Sequence, residues 1–236
     1  MDRSLLQHAM MSRTDLFLFE SAFARDTYQR TIGVPQGLVR TVFNGVTAGE
    51  FDPIVKADDA TDVVYVGEFR EIKGADLLID AVARLRADGK NVTLTLAGDG
   101  EEMANLKAQI ARLNLGDTVR FIGHVKARYG FSKGTLLVVP SRGDSMPYVV
   151  IEAAAAGIPM VAANVGGIPE IFGPRAPELV PVDDAAALAD KIRATLADPA
   201  AAHRDAVARR DWARDRFTIA AMERQIGALY REILAG

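Results

Sequence analysis

From residue 63 onward, short continuous apolar runs alternate with segments of helical period. Residues 63–66, 92–97, 119–122, 136–139 and 159–162 are predicted strands, rich in Val, Leu and Ile. Between them, residues 74–86 (GADLLIDAVARLR) place Leu77, Leu78, Ala81, Val82 and Leu85 on one helical face. Residues 101–113 and 149–156 are further helices, and Gly157 ends the second as a C-cap. Residues 179–182 read as a sixth strand, and Asp184 caps a helix over 185–197. The basic connection 124–133 has no form that the pattern assigns. Unbroken apolar runs belong to strands buried on both faces. The expectation is therefore an α/β fold: a parallel sheet of about six strands, right-handed crossovers, and helices on both faces.

The flanks differ in character. Residues 4–12 are predicted helical, 15–19 a strand, 22–30 a helix with Ser21 as N-cap, and 38–43 a strand closed by the Asn44-Gly45 turn. Residues 51–62 (FDPIVKADDATD) are acidic and aperiodic and read as a linker. Two tail helices follow, over 200–214 and 219–234. Arg204, Arg209, Arg210, Arg214 and Arg216 alternate there with Asp205, Asp211 and Asp215, so this face reads as solvated rather than membrane-bound.

Composition narrows the function classes. The chain has 236 residues, 49% of them hydrophobic, and a net charge of -3, which gives nucleic acid no electrostatic footprint. There is no cysteine, and His8, His124 and His203 lie too far apart for a metal site. No apolar run reaches the roughly 18 residues of a membrane span, and the amino-terminal segment has no signal-peptide core. The expectation is a cytoplasmic protein that meets a membrane at most peripherally.

The candidate chemistry gathers around residues 136–170. The loop 141–147 follows a buried strand at its carboxyl end, where open α/β sheets place ligand sites. Asp144 stands in that loop and Glu152 on the helix behind it. Two acids aimed at one crevice suit a ligand with several hydroxyls, because carboxylates accept and hydroxyls donate. Residues 67–74 (GEFREIKG) supply an anion site: Gly67 after a strand, and Lys73 at a helix start. Gly98-Asp99-Gly100 lacks the third glycine of a dinucleotide fingerprint, and no acid ends the next strand, which argues against NAD. Gly143-Asp144-Ser145-Met146-Pro147 is one residue from a nucleophile elbow. Pro147 breaks that pattern, and the only later histidine is His203 in a polar helix. No P-loop occurs.

Residues 144–170 resemble the signature of retaining glycosyltransferases of the GT-B fold, specifically glycosyltransferase family 4. That family carries a Glu, seven residues, a second Glu before Ala, and a Gly-Gly-x-x-Glu turn. Here Glu152 and the turn Gly166, Gly167, Glu170 match, and Asp144 replaces the first Glu. The resemblance implies a carboxy-terminal Rossmann-like domain over 63–216 that binds a nucleotide diphosphate sugar. It also implies a remnant of the amino-terminal domain over 1–50 and a crossover helix over 217–236.

By the same resemblance Lys73 binds the donor diphosphate. Glu68 stands where the family has an arginine and would repel phosphate, and Arg70 is the candidate replacement. Backbone N–H groups of Gly166 and Gly167 support the diphosphate, and Gly67 and Gly98 border the crevice. Glu152 holds the ribose, and Asp144 with the backbone of Met146, Pro147, Tyr148 and Val149 faces the sugar. No metal or cofactor is implied. The acceptor, a glycan or lipid-linked molecule, is expected on the absent domain, so the chain alone is expected to bind donor and turn over poorly. Three alternatives stay open: a split-subunit binding module, a GT-B epimerase or phosphorylase, and a homodimer through the tail helices.

Overall fold

The computed structural model describes residues 13–235, and the helix expected over 4–12 lies outside the described residues. The first elements are β1 (Leu16–Phe19), α1 (Ala22–Thr31) and β2 (Leu38–Thr41), with β1 and β2 paired in parallel. Then follow β3 (Thr61–Val66), α2 (Ala75–Ala87), β4 (Leu94–Ala97), α3 (Met103–Arg112), β5 (Val119–Gly123), α4 (Ala127–Ser132) and β6 (Gly134–Val139). The chain continues through α5 (Tyr148–Ala156), β7 (Met160–Ala162), α6 (Ile168–Phe172), α7 (Ala185–Ala197), α8 (Pro199–Arg214) and α9 (Ile219–Ala235).

Strands β3 to β7 form one five-stranded parallel sheet in the order β5-β4-β3-β6-β7. Successive side chains point to opposite faces, and both faces are apolar. Val63, Tyr65, Leu136 and Val138 pack with Leu78, Leu85, Leu106 and Ile192 from α2, α3 and α7. Val64, Leu137 and Val139 pack on the other face with Phe131, Val150, Ile151 and Phe172 from α4, α5 and α6. The α/β fold expected from the continuous apolar runs is therefore present.

Three readings are corrected and one unassigned segment takes a form. The sixth strand over 179–182 is reduced to one bridge, Val180 with Ala163. Pro181 has no N–H to continue the ladder, and Asp183 turns into the left-handed region at φ 57°. The unassigned connection 124–133 contains α4. The Gly-Gly turn runs on into α6, with Pro169 in its first turn, where a missing N–H costs nothing. Arg209 does not lie on a solvated face. It is 2% exposed, with its guanidinium 5.1 Å from the ring centre of Phe172, because α8 packs on α5 and beside the end of α6.

The tail returns to the beginning. Val46 N–H donates to the Phe217 carbonyl (2.8 Å), Ile219 N–H donates to the Val46 carbonyl (3.0 Å), and the Phe43 and Phe217 rings lie 5.3 Å apart. No helix among the described residues is long and apolar enough to cross a membrane.

Candidate functional site

The sheet order reverses between β3 and β6, which both leave the sheet at their carboxyl ends side by side. Open α/β sheets hold ligands at such a switch point. A cleft of ≈ 360 Å³ lies there, lined from one side by Gly67, Arg70 and Lys73 and from the other by Asp144, Met146, Pro147, Tyr148 and Val149. Eight of the predicted residues are thus brought together by the segments that follow β3 and β6, the second running into the first turn of α5.

Lys73 and Asp144 meet directly. Lys73 Nζ donates to Asp144 Oδ2 at 2.6 Å, with both side chains partly buried. Lys73 ends a short 3-10 turn (Glu71–Lys73), and Gly74 follows at φ 72°. A Cβ at Gly74 would stand 2.2 Å from the Pro140 carbonyl oxygen, so only glycine lets the turn press against the end of β6. Arg70 borders the cleft and also a neighbouring hollow lined by Glu68, Asp99, Glu101 and His124. It has loose contacts to Glu68 at 3.7 Å and Glu101 at 3.9 Å, on exposed side chains, so its cation remains accessible.

Gly98, Gly166 and Gly167 shape the cleft without lining it. A Cβ would stand 1.9 Å from the Gly67 carbonyl oxygen at Gly98, 1.5 Å from that of Asp144 at Gly166, and 2.0 Å from that of Ser145 at Gly167. The Gly167 N–H already donates to the Asp144 carbonyl (3.1 Å), so it is not a donor for a ligand phosphate. That corrects the expectation of two free N–H groups in this turn.

Glu152 does not line the cleft. It lies three residues beyond Val149 on α5, hence on the same side of that helix. Burial, with a smaller contribution from the carboxylate of Glu50, holds its carboxyl above the usual carboxylate range. Glu50 belongs to the 3-10 turn Ala48–Phe51 and is approached by Arg128, whose Nη1 donates to the Glu50 carbonyl at 3.0 Å.

Sequence reasoning left Arg142 without a role, and the structure supplies one. Its guanidinium donates two bonds to Asp76 (2.8 and 2.7 Å), one to Asp183 (2.5 Å) and one to the Glu71 carbonyl (2.6 Å). Its own N–H donates to the Ile72 carbonyl (2.8 Å), so the loop that carries Asp144 is tied to the turn that carries Lys73. Burial works to raise the Asp76 carboxyl, but the bonds to Arg142 hold it below its ordinary value. No local motif reveals this, since Arg142 and Asp76 are 66 residues apart.

Tyr65, on the cleft floor, donates to the Glu68 carbonyl at 2.7 Å. Burial and neighbouring carboxylates push its phenol up, so it stays a neutral donor. A nucleophile elbow is absent: Ser145 is exposed on the loop, and His203 lines a cavity at the other end of the sheet. Among the described residues no acid and histidine cluster could hold a metal.

Comparisons with known proteins bear on the family and the fold. Residues 60–198 match the family described as glycosyl transferases group 1. Glycogen synthase of Mycobacterium tuberculosis is 32% identical over 209 residues, covering 85% of this chain and 50% of that protein. D-inositol 3-phosphate glycosyltransferase of Streptomyces avermitilis is 30% identical over 214 residues, covering 81% of this chain and 46% of that protein. The chain thus spans about half the length of the curated relatives it matches.

Among solved structures, sucrose-phosphate synthase from Thermosynechococcus elongatus superposes with a TM-score of 0.84 at 30% identity, covering 99% of this chain and 62% of that one. Anabaena HepE in complex with UDP-glucose superposes with a TM-score of 0.82 at 22% identity, covering 98% of this chain and 68% of that one, which shows a shared fold. With the fold of the carboxy-terminal half of a GT-B glycosyltransferase and a family match over most of the sheet, the chain belongs to the glycosyl transferases group 1 family.

Proposed function

We propose that this chain is the donor-binding half of a retaining glycosyltransferase that uses a nucleotide diphosphate sugar. The observation that carries the reading is the meeting of Lys73 and Asp144 in the cleft at the switch point, with Glu152 on α5 about one turn beyond the cleft-lining Val149. Transfer releases a nucleoside diphosphate, so the main task is stabilising negative charge on a departing phosphate. Lys73 is placed for that, and Arg70 reaches the same cleft from a shifted position, which answers the loss of the family's arginine at Glu68.

Glu152 is assigned the ribose hydroxyls and Asp144 the sugar hydroxyls. Uridine is the proposed base, supported by the UDP and UDP-glucose complexes of the structurally similar Anabaena HepE. The acceptor is assigned to a domain that continues the β1–β2 pair, whose Leu18 and nearby Phe23 are 38% and 39% exposed. That domain belongs either to the same polypeptide or, in a second reading, to a partner subunit.

Titration calorimetry of UDP, UDP-glucose and GDP against the wild type and Glu152→Ala tests the proposal. The expected result is binding of uridine nucleotides, weakened roughly 10- to 150-fold by the substitution, the worth of a charge-assisted hydrogen bond. A folded chain that binds none of the three, or a Glu152→Ala protein that binds as the wild type does, overturns it.

A further inference from the structure

A second cavity, of ≈ 340 Å³, lies at the opposite end of the sheet from the donor cleft, between the linker, the start of β6 and α8. Its walls are apolar, formed by Ile54, Phe131, Ile158 and Pro159. Three basic side chains reach it: Lys56 from the linker, and His203 and Arg210 from one side of α8. No carboxylate lines it.

Asp58 and Asp211, the acids beside Lys56 and Arg210 in sequence, do not line the cavity, and two further acids are paired elsewhere. Asp205 pairs with Arg175 at 2.8 Å, and Asp59 with Lys133 at 2.7 Å and Arg120 at 3.3 Å. Lys56 has one long contact, 3.4 Å to Thr135 Oγ1, while His203 and Arg210 make no side-chain hydrogen bond or ion pair among the described residues. The Nε of Arg210 is sealed from solvent and lacks a partner, although buried donors are ordinarily satisfied.

Arg210 lies beside Gly157, where a Cβ would be in ordinary contact with its Cδ (3.5 Å) and Nη1 (3.8 Å); it is the φ of 68° that favours glycine there. The carboxyl end of α5 attracts a cation at this point. That accounts for Arg210 alone and leaves Lys56 and His203 unexplained. His203 and Arg210 are two helical turns apart, roughly 10 Å along the axis, a gap that their side chains and Lys56 can close around one anion.

We propose that this cavity binds a phosphate monoester with a compact apolar body, its phosphate among Lys56, His203 and Arg210 and its body against Phe131 and Ile158. A dianion answers a cluster of basic groups without an acid better than a carboxylate does, and guanidinium binds phosphate through paired bonds. The volume suits a small organic molecule.

The test is calorimetric titration of the full chain with phenyl phosphate, with inorganic phosphate and benzoate alongside. The expected result is saturable binding of phenyl phosphate, weakened about tenfold by Lys56→Glu and by Arg210→Gln and unchanged by Lys73→Ala in the donor cleft. Lys56 is exposed, so its variant keeps the fold even if Arg210→Gln does not. Absence of binding, wild-type affinity in Lys56→Glu, or loss in Lys73→Ala overturns the site. Equal affinity for benzoate overturns the dianion, and equal affinity for inorganic phosphate overturns the apolar body. Uridine nucleotide binding is a separate reading, and its failure leaves this one standing.

Discussion

Lys73 Nζ lies 2.6 Å from Asp144 Oδ2, so the cation assigned to the donor diphosphate and the acid assigned to the donor sugar neutralise one another across the cleft. A ligand must either share Lys73 with Asp144 or take it away. Lys73→Ala is therefore expected to weaken UDP about tenfold or more. Asp144→Asn releases the ammonium and is expected to keep or strengthen UDP binding while removing any advantage of UDP-glucose over UDP. Parallel titrations with both ligands check this, and equal weakening of the two by Asp144→Asn would contradict the assigned roles.

Glu152 carries a pH dependence with two opposite signs. Burial, then Glu50, raises its folded-state pKa above the unfolded value. Its contribution to folding is therefore full at low pH and is lost as pH rises through the raised value. Hydroxyl binding runs the other way, because only the carboxylate accepts from both ribose hydroxyls. Nucleotide affinity is expected to rise with pH through the titration of Glu152. Glu50→Gln is expected to move that midpoint downward, which affinity measured across acidic to neutral pH will show.

Arg142 ties together the two loops that face each other in the cleft. Arg142→Met leaves Asp76 part-buried without its partner, an expected loss of about 1–3 kcal/mol. Arg142→Lys is expected to recover little of it, because an ammonium cannot make the paired bonds. Denaturant unfolding of the three proteins measures the difference. Nucleotide affinity should fall with both variants, since Lys73 loses its fixed turn.

Gly166 separates conformational from steric demand. It has φ 61°, and a Cβ would stand 1.5 Å from the Asp144 carbonyl oxygen, whereas Gly89 has φ 75° with nothing within 4 Å. Gly89→Ala is expected to cost about 1–2 kcal/mol from backbone strain alone. Gly166→Ala adds an overlap with the loop that carries Asp144 and is expected to cost about 2–5 kcal/mol. Chemical denaturation of the two variants decides it.

Much of this arrangement can be read along the chain, because its signals are local. Continuous runs such as Leu136 to Val139 mark buried strands, Gly157 stops α5, and the spacing of Asp144 and Glu152 carries the family resemblance. What cannot be read is set by residues far apart. The pairing of Lys73 with Asp144 and the clamp of Arg142 on Asp76 arise only when β3 and β6 become neighbours. The lost sixth strand shows the reverse case. The apolar pattern of 179–182 is correct, but Pro181 and the left-handed Asp183 override it. Burial of Arg209 likewise has no trace in a polar, Ala-rich segment.

Glu170 reaches across from α6 to cap a helix 147 residues earlier. Its Oε2 accepts from the N–H of Ala22 (2.9 Å) and its Oε1 from that of Phe23 (3.0 Å), while Ser21 Oγ accepts from Ala24 (2.9 Å). The first N–H groups of α1, which no helical carbonyl can satisfy, are thus met by a charge at the positive end of the helix. Ser21 is fully buried and sits against Gly167, so the contact joins α1 to the turn behind Asp144. Glu170→Ala is expected to cost about 0.5–2 kcal/mol, the range of a lost N-cap. The loss should appear first as faster amide hydrogen exchange in α1, with the five-stranded sheet still protected. Uniform acceleration across the sheet would instead show that α1 and the sheet unfold as one unit.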